Sequence, residues 1–146
     1  MKAFRFRLQT SLDVRCRQED RQKQVLQEKI RCHEESIVIL NSFLTRLEGG
    51  FNRIRELQAG SLDVCELDAC NKFVLAVKAQ VEEQKMVVEH CRKAVEEARE
   101  KLLEIVKARK ILEKLKERHY DEYRREALRE QQKLIDEMAA RRTGVW

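Results

Sequence analysis

The run from Leu112 to Arg142, LEKLKERHYDEYRREALREQQKLIDEMAARR, contains neither Pro nor Gly, and nearly every residue in it favours helix. Leu112, Leu115, Tyr120, Tyr123, Ala127, Leu134 and Met138 recur at roughly helical spacing, with charged residues around them. A helix with such a stripe draws its stability from whatever covers the stripe. The rest of the chain decides whether that cover is internal.

Upstream, Leu26, Ile30, His33, Ile37, Leu40, Leu44, Leu47, Phe51 and Ile54 are spaced in alternating fours and threes, a heptad seam held over about four heptads. Between Leu12 and Leu26 the same register lands on Arg15, Glu19 and Gln22, so weaker packing is predicted there. Gly49-Gly50 lies near the end of this helix and predicts a bend or soft spot, since Gly is a poor helix former. Ala59-Gly60-Ser61 is the break. Gly60 suits a helix C-cap, and Ser61 or Asp63 suits the next N-cap, with Glu66 three residues after Asp63 in a capping-box arrangement. A second seam follows at Leu67, Cys70, Val74, Val77, Val81, Gln84, Val88, Cys91, Val95, Ala98, Leu102 and Ile105. Its strict continuation falls on Arg109 and Lys116, which predicts a register shift near Ala108 before the stripe resumes at Leu112 and Leu115.

Two long amphipathic helices with a short connection make an antiparallel hairpin. The fold class is therefore all-α: one coiled-coil hairpin over 1–146, with helix one at about 8–58, the turn at about 59–62 and helix two at about 63–140. Folding about Gly60 sets Leu47 against Val74 and Leu40 against Val81, and brings Leu8 opposite Leu112 or Glu113. Everything beyond about Leu115 then overhangs helix one by roughly 35 Å. Ahead of helix one, Phe4, Phe6 and Leu8 alternate with Arg5 and Arg7, an extended entry with the Phe rings as anchors.

Composition agrees with this outline. The 146 residues include no Pro, 4 Gly and 39% charged residues, a profile of long helices rather than of a globular enzyme with catalytic loops. No apolar run spans a membrane, and MKAFRFRLQTSLDVRCRQED has no apolar core of a secretory signal. The five cysteines, Cys16, Cys32, Cys65, Cys70 and Cys91, are an odd number without framework spacing and read as free thiols of a reducing cytosol. No phosphate-cradling Gly loop, nucleophile elbow or HExxH is present, so no catalytic residue, cofactor or small-molecule substrate is expected. Cys32-His33 and His90-Cys91 come to similar levels of the hairpin, but adjacent residues on a helix diverge and the group reads as seam filler rather than a metal site. His33 and Gln84 share a level, and polar seam residues of this kind fix register. The formal charge of +5 is concentrated at Lys2, Arg5, Arg7, Arg15 and Arg17, whereas acids and bases interleave elsewhere. That interleaving argues against nucleic acid as the partner.

Two features point outward. Phe43 and Phe73 lie beside the seam, as do Ile39 and Val87; they either lap over it or form a partner surface. The uncovered stripe around Leu115, Tyr120 and Tyr123 suits docking onto a different protein better than self-association, because its spacing is irregular and Tyr is poor seam material.

The opening FRFRLQTSLDVRCRQED resembles the F-x-F-x-L-x-x-L-L-x-x-R start of the FliJ family of flagellar type III export proteins. AGSLDVCELDACNKFV and the stretch with LEKLKER and LIDEM resemble the rest of the family pattern, so the likeness spans essentially the whole chain. Leu12-Asp13 departs from the two consecutive Leu common in the family. The resemblance implies a non-enzymatic stalk, similar to the rotary subunit of F-type ATPases, that enters the hexameric export ATPase ring and promotes its assembly. It also implies contact with the membrane export-gate protein, handling of export chaperones, and a cytoplasmic location at the inner face of the membrane. Carried over by position, it assigns Leu8, Leu115, Arg118, Tyr120, Tyr123 and Arg124 to the ATPase side, and Phe43, Leu47, Phe73 and Val77 to the gate side. A generic coiled-coil scaffold or homodimer, and a stalk of a virulence type III system, are the alternatives; the FxFxL opening fits the flagellar branch.

Overall fold

The computed structural model describes residues 1–61 and 63–144. Two helices account for almost all of them: α1, Gln9–Ala59, of 51 residues, and α2, Val64–Thr143, of 80 residues. Both are uninterrupted, as the absence of Pro allows. No strand forms among the described residues. The fold is an all-α hairpin, and it divides into two compact units: Met1–Arg21 with Leu102–Trp146 (unit 1), and Gln22–Lys101 (unit 2).

The ends of the helices have identifiable causes. Gln9 donates its backbone N–H to the Phe6 carbonyl (3.1 Å), closing a turn at Arg7 and Leu8 that leads into α1. At the start of α2, the Asp63 carboxylate accepts the Cys65 N–H at 3.0 Å, so Asp63 is the cap. The carboxylate of Glu66 lies 3.9 Å from Arg53 on the other helix. Gly60 does not take the left-handed conformation that suits a Gly C-cap. Among the described residues that role falls to Gly144, at φ 69°, one residue past α2.

In unit 2 the helices run antiparallel. Val74, Val77, Val81, Val95 and Ala98 are its buried α2 positions, and Leu67, Cys70, Gln84, Val88 and Cys91 fill the levels between them as half-buried residues. The periodicity places Leu44 and Phe51 in the α1 seam, but both are exposed. Their neighbours Phe43 and Gly50 turn inward instead, with Leu40, Leu47, Ile54 and Leu57. The reason is steric. A Cβ on Gly50 would lie 2.9 Å from Val74 Cγ2 and 3.3 Å from the Phe73 ring, so α2 approaches closely only where α1 carries no side chain. The two glycines therefore leave α1 unbroken, and Gly50 is a packing contact. Polar bonds lock the pairing: Gln84 Nε2 donates to the Ser36 carbonyl (2.9 Å), and Gln22 Nε2 to the Ala98 carbonyl (3.1 Å). Each fixes a level along the two helices, as polar seam residues do in coiled coils. Among the described residues no side chain is wholly sealed, as expected of a two-helix seam rather than a core.

Unit 1 departs from the count about Gly60. Phe6 packs on His119, and Gln9 comes beside Lys116, about one helical turn further along α2 than folding about Gly60 places them. Nor does the stripe skip cleanly near Ala108. Ala108 and Arg109, Leu112 and Glu113, and Leu115 and Lys116 are all half-buried, so the inward face is two residues wide. Arg109 belongs to it because it is paired. Its guanidinium meets Glu19 on α1, which is only 7% exposed, and donates to Glu113 one turn on at 2.6 Å. The polar stretch around Glu19 is thus matched by an opposite charge.

Candidate functional site

Unit 1 carries one candidate surface, built by the chain's first residues. Residues 1–6 form neither helix nor strand, and burial alternates along residues 4–7 as it does where successive side chains point to opposite sides. Phe4 and Phe6 turn inward onto α2, while Lys2, Arg5 and Arg7 stay exposed. Phe6 is 8% exposed, its ring 5.8 Å from that of His119 at an edge-on angle. Phe4 sits 5.3 Å from Tyr120 and 5.6 Å from Tyr123, whose own rings stack at 6.4 Å. Both ranges are those of favourable aromatic pairs.

This strap corrects the expectation that everything beyond Leu115 lacks a partner within the chain. Leu115 is half-buried, and Tyr123 is half-buried beneath Phe4. Tyr120 is 46% exposed, so one side of its ring stays open; Leu8 in the turn, Arg118 and Arg124 are exposed. Every described residue from Leu128 onward is exposed, including Leu128, Leu134, Ile135 and Met138. The uncovered part of α2, Leu128 to Thr143, is about 24 Å long at the α-helical rise. The sequence showed the Phe rings as anchors without showing that they fold back onto the tyrosines. Their alternation with Arg is the signal for such a strap, and His119 was not distinguishable from other polar residues of the stripe.

Unit 2 carries a second candidate surface, near its closed end. Phe73 is 48% exposed, its ring lying against Gly50. With Arg46, Gly49, Arg53, Ala69 and Cys70 they line an open groove of about 410 Å³. Arg46 also lies over the Phe43 ring at 5.9 Å, a cation–π arrangement, and Lys78 lies over Phe51 at 5.2 Å. Phe43 and Leu47 are half-buried, and Val77, at 3% exposure, is buried between the helices. Of the four gate-side residues only Phe73 is exposed, with about half of it open; Leu47 and Val77 hold the helices together beneath it. Ile39 and Val87 are exposed, as their off-seam positions predict.

The electrostatics of the two units differ. Unit 1 holds 18 Lys and Arg against 12 Asp and Glu, and unit 2 holds 13 against 14, so the whole positive excess lies in unit 1, the unit that carries the strap and the α2 extension. Hydrogen bonds donated to Glu113 and then to Glu19 push the Arg109 guanidinium further above its ordinary range. Glu89 is held below the usual carboxylate range, chiefly by its hydrogen bond from Arg92. Both are ion-pair effects, and Glu89 lies on the wall of an open groove of about 390 Å³ lined also by Glu82, Lys85, Met86, His90 and Lys93. Cys32 and His90 are exposed; His33 and Cys91 are half-buried, and the buried His33 Nδ1 has no hydrogen-bond partner among the described residues. Among the described residues no group of three or more His, Cys, Asp or Glu is placed to hold a metal ion, all five cysteines are free, and no helix is long and apolar enough to cross a membrane.

Against known families, the model described as flagellar FliJ protein matches residues 4–144, nearly the whole chain. No curated protein and no solved structure matches.

Proposed function

The chain belongs to the FliJ family and so to the proteins of flagellar export, and on that premise we propose that it is a non-enzymatic stalk for the export ATPase ring. In this reading unit 1 is the ring end. The observation that carries it is the bare α2 extension, whose Leu128, Leu134, Ile135 and Met138 have no cover among the described residues. A helix so exposed gains most from entering a partner that supplies an apolar wall, and the hexameric ATPase opening is that wall. Tyr120, Tyr123, Arg118, Arg124 and Leu8 sit at the base of the extension and form the collar of the contact, with Leu115 supporting them from beneath. The stalk acts by stabilising the assembled ring and by biasing its subunits, a coupling free energy rather than a chemical step.

Phe73, the rim of Phe43 and the neighbouring Arg46 form the surface for the membrane export-gate protein, with Leu47 and Val77 as the packing that holds them in place. Export chaperones are further partners, and the protein works at the cytoplasmic face of the membrane without entering it. Support for a partner near Phe73 comes from an exposed aromatic ring next to a cationic rim, a composition enriched at interfaces.

Purified export ATPase from the same organism tests the ring reading. Added protein is expected to raise ATP hydrolysis and to shift the ATPase to ring-sized particles. A chain truncated at Ala127 is expected to do neither while keeping its helicity. A stable homodimer of the free chain that leaves the ATPase unaffected would favour the scaffold instead.

A further inference from the structure

The apolar stripe of α2 in unit 1 is continuous but unequally covered. Tyr120 and Tyr123 lie under Phe4, Ala127 is half-buried, and Leu128, Leu134, Ile135 and Met138 are bare. A helical face used by one partner along its length has to include the stretch that the strap now occupies. We infer that residues 1–6 are a displaceable strap, an internal competitor that covers the first turns of the docking stripe until the ring partner takes its place. This deepens the stalk reading and rests on it for the identity of the displacing partner.

Three observations show how the strap is held. Among the described residues no backbone hydrogen bond ties residues 1–5 to α2; the backbone bond that involves the strap is the turn from Gln9 to Phe6. Among the described residues the exposed cations Lys2, Arg5 and Arg7 make no ion pair with α2. What remains is the burial of Phe6 and part of Phe4 in aromatic contacts. That gain is opposed by the entropy of ordering six residues, and the two are of the same order. A segment held so is drawn from the low-stability end of a fold and opens without unfolding the helices. The turn at Arg7 and Leu8 serves as the hinge, because the first α1 backbone bond, Leu12 N–H to the Leu8 carbonyl at 3.0 Å, is independent of residues 1–6.

A strap that is closed most of the time lowers the apparent affinity of its competitor by the fraction of time it is open. Removing its anchors therefore strengthens ring binding. If it is closed nine-tenths of the time, the gain is about tenfold. A merely structural strap gives no gain, and a strap that is itself part of the interface gives a loss.

The chain has only two tyrosines, Tyr120 and Tyr123, so fluorotyrosine labelling of the full chain gives one signal from each ring beneath Phe4. In the free protein the inference predicts two-state exchange at both signals, and a shift of both to the open position in Phe4→Ala. Signals that are sharp and indifferent to Phe4→Ala overturn it, whatever the partner. With the export ATPase, the Phe4→Ala/Phe6→Ala variant is expected to bind about tenfold more tightly than the native chain. Arg5 and Lys116 line one shallow groove. An Arg5→Cys/Lys116→Cys variant lacking the five native cysteines is therefore expected to lose binding when oxidised and recover it when reduced. Equal or weaker binding by the alanine variant, or full binding by the oxidised one, overturns the strap while leaving the stalk standing. No binding by any form sinks the stalk reading, and the strap is then decided by the fluorine exchange alone.

Discussion

Gly49 and Gly50 are adjacent in sequence and opposite in consequence. Gly49 has nothing within 4 Å of where a Cβ would stand, so Gly49→Ala adds helix propensity at no steric cost and is expected to stabilise the hairpin by about 0.5–1 kcal/mol. Gly50→Ala places a methyl against Val74, a β-branched side chain with little rotameric freedom, and against the Phe73 ring. Overpacking of this kind costs about 1–3 kcal/mol, more than the propensity gained, so the second variant is expected to be less stable than the native chain. Thermal melts of the pair give opposite signs if the close approach at Gly50 is real, and the same sign if it is not. The Glu19–Arg109 pair makes a related point. Truncating Arg109 alone takes a cationic partner from a carboxylate that is almost fully buried, whereas replacing both with Leu removes the buried charge together with its partner. Arg109→Leu is expected to lower Tm, and Glu19→Leu in the same chain to restore most of it, a coupling that a double-mutant cycle reads directly.

Among the elements, α2 is unequally supported along its length. Its buried valines lie in unit 2, while the residues from Leu128 to Thr143 are all exposed. Hydrogen exchange is expected to be fast beyond Leu128 and much slower between Val74 and Ala98, with the ATPase slowing the former. Leu134→Asp and Met138→Asp should leave Tm nearly unchanged, because both residues are exposed, yet weaken ATPase binding. Most of the element structure was legible because the seam from Leu67 to Ile105 is a nearly unbroken heptad rich in Val, and the break at Gly60 has only one place to fall. The α1 register was not. Two seams one residue apart, through Leu44 and Phe51 or through Phe43 and Gly50, carry similar apolar content, and the choice is made by a residue with no side chain. The candidate site was half legible: Tyr120 and Tyr123 stand out in the stripe, but counting back from the turn cannot reveal a strap of chain that doubles over them.

At the scale of the whole molecule, the positive excess and the uncovered helix belong to the same unit. Attraction between exposed charges is screened by salt, so association with the ATPase is expected to weaken as ionic strength rises, with the apolar contacts setting the residual affinity. The Phe73 groove of unit 2 is a separate matter, and Phe73→Ala is expected to spare ATPase stimulation while reducing binding to the export-gate protein in a pull-down. The central claim rests on the α2 extension as the ring-entering element. Its most direct measurement is the rate of ATP hydrolysis by the export ATPase with the full chain and with the chain truncated at Ala127, sized in parallel. The account predicts stimulation and ring-sized particles with the full chain and neither with the truncated one. Equal stimulation by the two chains would contradict it.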